Sequence, residues 1–531
     1  MGIVRRPAER AHDDLVSGLL SPRAWPDPQP VEHLETHISH VFLVGEHAYK
    51  TKKPLNLGFL DFSTLAQRRR FCDEELRINR RLAPDLYLAV VPITGTAAAP
   101  RVEGEGAPIE YAVKMRRFSQ EGLLEHVLER GELLPAQLDA LAAQVAQFHQ
   151  SLPPAGPDTA FGSAGGIIAP ALQNFDQLAQ LLAVANDVAL LQRLRQWTEE
   201  QSRVLTPLFE LRRRAGFVRE CHGDLHLANM VLIDGEVRIF DAIEFNPALR
   251  WIDLMNEIAF VVMDLAVRGR EDLGARFLNT YLETTGDYEG VRVLRYYVVY
   301  RALVRAKIAA MRAAQADAGT QALQAMAGKC RLHLELAHRV ACAPEPALVI
   351  LHGLSGSGKT TCSQVMLETI GAVRIRSDVE RKRLHGLHAS AHSGSAVGGG
   401  IYTPAASQDA YAHLLALAAA ILSGGFTVLV DATFLRRALR EPFRALAARL
   451  RVPFRIAHFV ARVETLYQRV DWRAAAGADA SEAGRVVLEA QLREQEPLGP
   501  DEEAVCTRID TESVDPAALQ ALARHLVSAA Q

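Results

Sequence analysis

The sequence predicts two domains of different class in one chain: an α+β domain with a β-rich first lobe and an α-rich second, then an α/β domain built on a mostly parallel sheet. Short strand-like segments and one capped helix crowd residues 41–115, ahead of a long helical stretch. Beyond residue 346, apolar runs alternate with a glycine loop and helical segments, which is the punctuation of a wound sheet. A length of 531 residues fits several domains or two large ones.

A proline-rich entry (Pro22, Pro26, Pro28, Pro30) closes an N-terminal extension, residues 1–29. Val41–Val44 and Ala48–Lys52 then read as a hairpin turned at Gly45-Glu46. Thr64 and Gln67 have capping-box spacing, opening a helix that carries Phe71, Cys72, Leu76 and Leu82 and stops before Pro84. A strand over Ile109–Met115 leads into helices interrupted by Pro153-Pro-Ala-Gly-Pro157 and the glycines near Gly165. Residues from Tyr296 to about Cys342 are helical in pattern, and Ala343-Pro-Glu-Pro346 breaks them because a helix does not easily pass two prolines. The expected domains are therefore 30–342 and 347–531, joined by a linker at 343–346. Ala347–Leu351 is a buried-type strand, followed by a glycine loop and a helix ending at Gly371; Phe426–Val430 is a further strand, closed by Asp431. Ala391–Gly400, rich in Gly and Ser, reads as a mobile loop bordering an acceptor pocket.

Composition excludes several classes. Hydrophobic residues make up 49% and charged residues 23%, which rules out wholesale disorder. With 59 Lys plus Arg against 62 Asp plus Glu the formal charge is -3, so nucleic acid is not the default partner. Six scattered cysteines contain no C-x-x-C pair, which argues against a disulfide framework or structural zinc. The N-terminus has no apolar core, and the apolar stretch near Ile258–Val267 is about half a membrane span. A cytoplasmic protein is expected. The arginine runs 68–70 and 212–214 are of a kind that is mostly solvated helix face, and they carry no assignment.

Gly353-Leu-Ser355-Gly356-Ser357-Gly358-Lys359-Thr360 fits G-x-x-x-x-G-K-[ST] at every fixed position and stands between a strand and a helix. Such a loop turns backbone N–H groups, through Thr361, toward a phosphate; Lys359 reaches the outer phosphates and the Thr360 hydroxyl can hold magnesium. Asp378, after the strand-like VRIR, can take a proton from a substrate hydroxyl, and Arg381, one helical turn on, can neutralise the transferred phosphoryl group. Asp431 is placed to hold magnesium directly or through water. Arg469 and Arg473 precede the small-residue stretch of residues 474–484, a composition suited to a closing lid.

On these residues the C-terminal half resembles the P-loop small-molecule and polynucleotide kinases, whose group also takes in gluconate-kinase-like, zeta-toxin-like and chloramphenicol-phosphotransferase-like enzymes. The resemblance implies a P-loop NTPase fold and a kinase activity, with Asp378 and Arg381 as the Asp-x-x-Arg pair. It also implies a lid arginine, Arg473 first and Arg469 as the alternative.

In the N-terminal half, His222-Gly-Asp224-Leu-His226-Leu-Ala-Asn229, then the strand VRIF and Asp241, has the order base, amide, carboxylate of a two-metal phosphoryl-transfer loop. Asp224 would orient and deprotonate an acceptor hydroxyl, while Asn229 and Asp241 offer oxygens to magnesium. This pattern resembles the aminoglycoside phosphotransferase family, which implies a bilobal, protein-kinase-like fold. Lys50 would then touch the α/β-phosphates and Glu75 pair with it, with Lys52 and Glu74 as alternatives. Asp253 resembles a residue that helps to hold the catalytic loop. No G-x-G-x-x-G precedes the lysine, which disfavours a protein kinase proper and leaves contacts from around Ser39 to cover the phosphates.

The expectation is an enzyme with two ATP- and magnesium-dependent phosphotransfer centres, acting on hydroxyls of small polar molecules. A nucleotide-dependent switch, in which the P-loop half binds ATP without turnover, is the alternative.

Overall fold

In the computed structural model the described residues are 7–528, apart from 57, 59, 183–184, 316–319, 390, 396–398 and 477–479. Parts of two expected loops, the Gly/Ser-rich stretch and the lid stretch after Arg473, thus lie outside the described residues. The chain forms two compact units: the first holds residues up to Gln137, Ser151–Ser163 and Leu211–Glu257, and the second holds Leu138–Gln150, Ala164–Glu210 and Ile258 onward. The helices after Ile258 fall in the second unit, where they pack closely on the C-terminal sheet.

The first unit is built on a six-stranded antiparallel sheet of β1 (Val31–Glu35), β2 (Ser39–Val44), β3 (His47–Lys52), β4 (Tyr87–Thr96), β5 (Ala99–Val102) and β6 (Glu110–Arg116), ordered β1-β2-β3-β6-β4-β5. The hairpin turns at Gly45-Glu46 as the sequence indicates, whereas β1, β4 and β5 were not legible in it. The capping box forms: the Thr64 side chain accepts from the Gln67 N–H, and Gln67 reaches back to the Thr64 N–H, opening the helix Leu65–Asn79. That helix ends a turn earlier than expected. The Asn79 carbonyl takes the N–H groups of Leu82 and Ala83, and its side-chain oxygen accepts from the Ala242 N–H, so Leu82 lies in the following turn. The described part of the N-terminal extension is a helix, Pro7–Leu19, whose Leu15 and Leu19 pack with Trp25, Phe42 and Ile93 in the core over the sheet. Short pairs β7 (Val218–Glu220) with β10 (Trp251–Asp253), and β8 (Met230–Ile233) with β9 (Glu236–Ile239), frame the loops that carry Asp224 and Asp241.

The second unit carries a five-stranded parallel sheet: β11 (Leu348–His352), β12 (Val373–Arg376), β13 (Val428–Asp431), β14 (Phe454–Val460) and β15 (Cys506–Asp510), ordered β12-β13-β11-β14-β15. All five residues of β11 are buried, since strands covered on both faces have no solvent side. Its neighbours β13 and β14 lead away in opposite directions, so the crevice at the carboxyl end of β11 is a topological switch point, where an α/β sheet receives a ligand.

The same unit contains the helices Glu271–Thr285, Val291–Gln315 and Gln321–Ala341. The first of these covers the open edge of β12. Asn279 Nδ2 donates to the Ala372 carbonyl at 2.9 Å and Asn279 Oδ1 accepts from the Arg374 N–H at 2.7 Å, so one side chain takes the place of a further strand. Arg276 pairs with both Asp139 and Glu368, which ties the phosphate-loop helix Lys359–Ile370 to its neighbours. One helix, Pro404–Ser423, is long and apolar enough by length and composition to cross a membrane; Ala410, Leu414, Ala418 and Ile421 on it are buried against protein. Among the described residues all six cysteines are free.

Because Asn279 satisfies two buried backbone groups at once, Asn279→Ala is expected to destabilise the second unit by about 1–3 kcal/mol. The midpoint of thermal unfolding measures this, and an unchanged midpoint would show that the edge of β12 needs no such cover.

Candidate functional site

The N-terminal constellation starts from β3. Lys50 and Lys52 stand two residues apart on one face of the strand, and both reach Glu75 on the helix Leu65–Asn79: Lys50 Nζ lies 2.8 Å from Glu75 Oε1 and Lys52 Nζ 2.6 Å from Oε2. Glu74 faces elsewhere, pairing with Arg77 and Arg250. Lys52 also pairs with Glu244, and Lys50 with Asp241 at 2.5 Å. Burial works against the charged Glu75 carboxylate, yet the two lysines hold its pKa down to about 2. Burial likewise opposes the charge on Lys50, and Asp241 and Glu75 more than restore it, holding its pKa above the ordinary lysine value.

Asp224 and Asp241 are linked through His222. His222 Nε2 lies 2.8 Å from the Phe240 carbonyl, while the Asp224 N–H donates to Nδ1 at 3.3 Å. Those partners assign the neutral ring with its proton on Nε2, in keeping with burial pushing the pKa down to about 4. The loop backbone is held from below by Glu257, whose carboxylate accepts from the N–H groups of His222 at 2.6 Å and Gly223 at 3.0 Å. Asn229 Nδ2 donates to the Asp224 carbonyl and carboxylate at 3.0 and 3.1 Å, and His226 Nε2 lies 3.2 Å from the same carboxylate. Asp241 has a positive φ of 64°, uncommon for a residue with a Cβ, and its N–H donates to the Tyr87 hydroxyl at 3.0 Å.

Glu244, Asp253 and Glu257 are all engaged internally. Asp253 takes a two-pronged bond from Arg212 at 2.7 and 2.9 Å and accepts from the Met255 N–H, so it anchors a helix start, while Glu257 braces the catalytic loop. Arg68 is likewise committed, to Glu110, so these parts of the arginine runs are structural rather than solvated faces. Ser39 opens β2 and is buried, its N–H accepted by the Thr36 hydroxyl. His226 stands within the loop motif itself, whereas nothing local in the sequence marked Glu244, Glu257 or Tyr87, because the partner of each lies in a distant segment.

The C-terminal constellation lines a cleft of about 1720 Å³ at the carboxyl end of the parallel sheet. Gly353 leaves β11 with φ 147°, and a Cβ there would stand 2.6 Å from the Phe459 carbonyl oxygen, so only glycine fits. The helix Lys359–Ile370 starts at Gly358, and the first ring-closing bond runs from the Cys362 N–H to the Gly358 carbonyl. The N–H groups of Lys359, Thr360 and Thr361 are thereby left without intrahelical acceptors at the cleft. The Ser355 N–H is held by Gln491 Oε1 at 2.8 Å, and that of Ser357 closes a turn onto the Leu354 carbonyl; Gly356 lines the same wall. Lys359 Nζ donates to the carbonyls of Gly353 and Leu354 at 2.8 and 2.9 Å. With no carboxylate in contact, burial lowers its pKa to about 8. The Thr360 hydroxyl donates to Asp431 Oδ2 at 2.7 Å, at the end of β13.

Asp378 and Arg381, on the helix Ser377–Leu384 after β12, line this cleft with Tyr402 and Tyr411. Arg376 is the N-cap residue of that helix, which leaves Asp378 in the first turn. Arg469 and Arg473 both line the cleft: Arg469 donates to the Gly356 carbonyl at 3.3 Å and to the Thr511 hydroxyl at 2.8 Å, and Arg473 to the Ala483 carbonyl at 2.9 Å. Ser393, in the described part of the Gly/Ser loop, donates through its N–H at 2.8 Å and its hydroxyl at 2.5 Å to Glu482, which also pairs with Lys382.

Residues 59–294 match the phosphotransferase enzyme family, and residues 348–498 match an AAA domain. An uncharacterised protein of Mycobacterium tuberculosis (strain ATCC 25618 / H37Rv) is 31% identical over 453 residues, covering 84% of this chain and 87% of its own length; one from Mycobacterium bovis aligns with the same values. Among solved structures, a choline/ethanolamine kinase family protein from Mesorhizobium loti is 12% identical, covering 62% of this chain and 98% of its own, with a TM-score of 0.34. A gluconokinase from Sinorhizobium meliloti 1021 is 19% identical, covering 34% and 94%, with a TM-score of 0.25.

The lowered pKa of Lys359 has a sign that can be tested. Its folded value lies below the ordinary 10.5, so the charged form opposes folding below about pH 8, and that penalty lifts between about pH 8 and 10.5. A bound phosphate has the opposite preference and needs the ammonium. The component of labelled-ATP binding that Lys359→Ala abolishes is therefore expected to weaken as pH rises through about 8, up to about tenfold per unit. Fluorescence titration measures it, and an affinity flat from about pH 7 to about pH 9.5 would contradict the assignment.

Proposed function

Since the chain belongs to the family that includes those mycobacterial proteins, with a phosphotransferase-family domain preceding an AAA-type domain, we propose that it is an ATP-dependent phosphotransferase with two nucleotide-binding centres, separated in sequence at residues 343–346. Each moves the γ-phosphate to a hydroxyl of a small polar molecule. The observation that carries this reading is a shared arrangement: each half gathers a lysine largely withdrawn from solvent, an aspartate that follows or closes a strand, and a second aspartate. In the first half these are Lys50, Asp241 and Asp224; in the second they are Lys359, Asp431 and Asp378.

In the first centre Lys50, steadied by Glu75, binds the α/β-phosphates. Asp224 orients the acceptor hydroxyl and accepts its proton, and its carboxylate is positioned by Asn229 and His226. In the second, the phosphate loop from Gly353 to Thr361 cradles the phosphates, Asp378 is the base, and Arg473 or Arg469 faces the phosphates. The donors Asn229, Asp241, Thr360 and Asp431 are all hard oxygens, which fits magnesium, and the bound ion supplies neutralisation of phosphate charge. The intact Asp224, Asn229 and Asp241 set favours turnover over a switch, since binding alone needs no base.

Acceptor-dependent ADP release from Asp224→Asn, Asp378→Asn and the double variant tests the proposal. Each single variant is expected to lose one set of acceptors by about 10²–10⁴-fold, and the double variant both. ATP binding with no phosphorylated product from any hydroxyl panel would support the switch instead.

A further inference from the structure

Arg381 is 7% exposed, yet among the described residues it has no carboxylate partner. Its Nη1 donates only to neutral oxygens, the Ile401 carbonyl at 3.1 Å and the Ser407 hydroxyl at 3.2 Å, and its Nε is buried with no hydrogen-bond partner. Two other deeply buried arginines contrast with it: Arg440 is held by Glu502 and Arg212 by Asp253. A guanidinium withdrawn from water without a counter-charge is costly, and it lines an open cleft, so the missing partner is an anion from solution.

Arg381 stands on the tyrosine wall of the cleft, over the Tyr402 ring. The charges acting on the Lys359 ammonium are Asp431, Asp378 and Arg473, whereas those acting on the Tyr402 hydroxyl are Asp378, Glu482, Arg381 and Arg473. Asp378 thus faces both the phosphate loop and the tyrosine wall, while Arg381 stacks over the Tyr402 ring at 5.2 Å on the latter side. Tyr402, Ser407, Gln408 and Tyr411 add hydroxyl and amide groups to that wall, which suit a polyhydroxylated ligand.

We propose that the acceptor of the C-terminal centre is a small polyhydroxylated compound bearing its own anionic group, a carboxylate or a phosphate, which Arg381 binds while Asp378 receives the proton of the reacting hydroxyl. The proposal rests on the phosphotransfer reading of this centre. The hydroxyl oxygen forms the new bond to the γ-phosphorus, the bond from that phosphorus to the β,γ-bridging oxygen breaks, ADP leaves, and the hydroxyl proton passes to the Asp378 carboxylate.

The test uses the full chain carrying Asp224→Asn, with ADP release measured for matched pairs: gluconate against sorbitol for the carboxylate, and ribose 5-phosphate against ribose for the phosphate. The anionic member of at least one pair is expected to be preferred by about 10²-fold or more in kcat/KM, and the preferred pair identifies the group. Arg381→Gln is expected to erase that preference through KM, and Arg381→Lys to restore it in part. An unchanged affinity for labelled ATP shows that the variants fold. Equal or better turnover of the neutral members overturns the proposal and leaves the kinase reading standing. So does a loss of kcat in Arg381→Gln that is the same for both members, which assigns Arg381 to the transferred phosphoryl group. ADP release stimulated by no member overturns the proposal together with the reading beneath it.

Discussion

A lysine ammonium taken out of water has to be held by oxygens that the rest of the chain delivers, and both centres are organised around that requirement. In the first half the oxygens are charged: Glu75 is shared between Lys50 and Lys52, with Asp241 and Glu244 completing the network. Three segments must meet for this to form, namely β3, the helix Leu65–Asn79, and the loop at residues 241–244. Removing one member leaves a buried charge unbalanced, which makes the arrangement exacting about geometry. In the second half the oxygens are carbonyls of the loop itself, and Lys359 is held only by dipoles until a phosphate arrives.

The two solutions differ in what nucleotide binding changes. Lys50 already neutralises Asp241, so in the proposed reading a triphosphate and its metal ion would exchange partners within an existing charge network. Lys359 has a charge deficit instead, which binding fills, and its lowered pKa is the physical sign of it. Both arrangements are kept in place by groups that do no chemistry. Glu257 and His222 fix the loop of Asp224, while Asn279 fixes the edge strand that leads to Asp378 and Gly353 the turn that opens the phosphate loop.

Local signals are legible in the sequence and tertiary ones are not. The capping box at Thr64 and Gln67, the turn at Gly45-Glu46 and the loop from Gly353 to Thr360 depend on residues within a few positions of one another, so the residue types alone specify them. The choice of Glu75 over Glu74 was not legible, because adjacent helix positions differ by about 100° and only the docking of the helix decides which one faces β3. β14 was missed because Arg455 and His458 interrupt its apolar pattern, and the end of the helix at Asn79 because Ala242, far along the chain, supplies the contact that favours it. Glu244, Glu257 and Gln491 belong to the same class: their partners lie tens to hundreds of residues away, and no spacing rule reaches that far.

Counting nucleotides tests the central claim most directly. Titration calorimetry of the full chain with a non-hydrolysable ATP analogue and magnesium is expected to give two sites, falling to one in Lys50→Ala and in Lys359→Ala and to none in the double variant. A single site in the unaltered chain, or two sites that survive either substitution, would contradict the account.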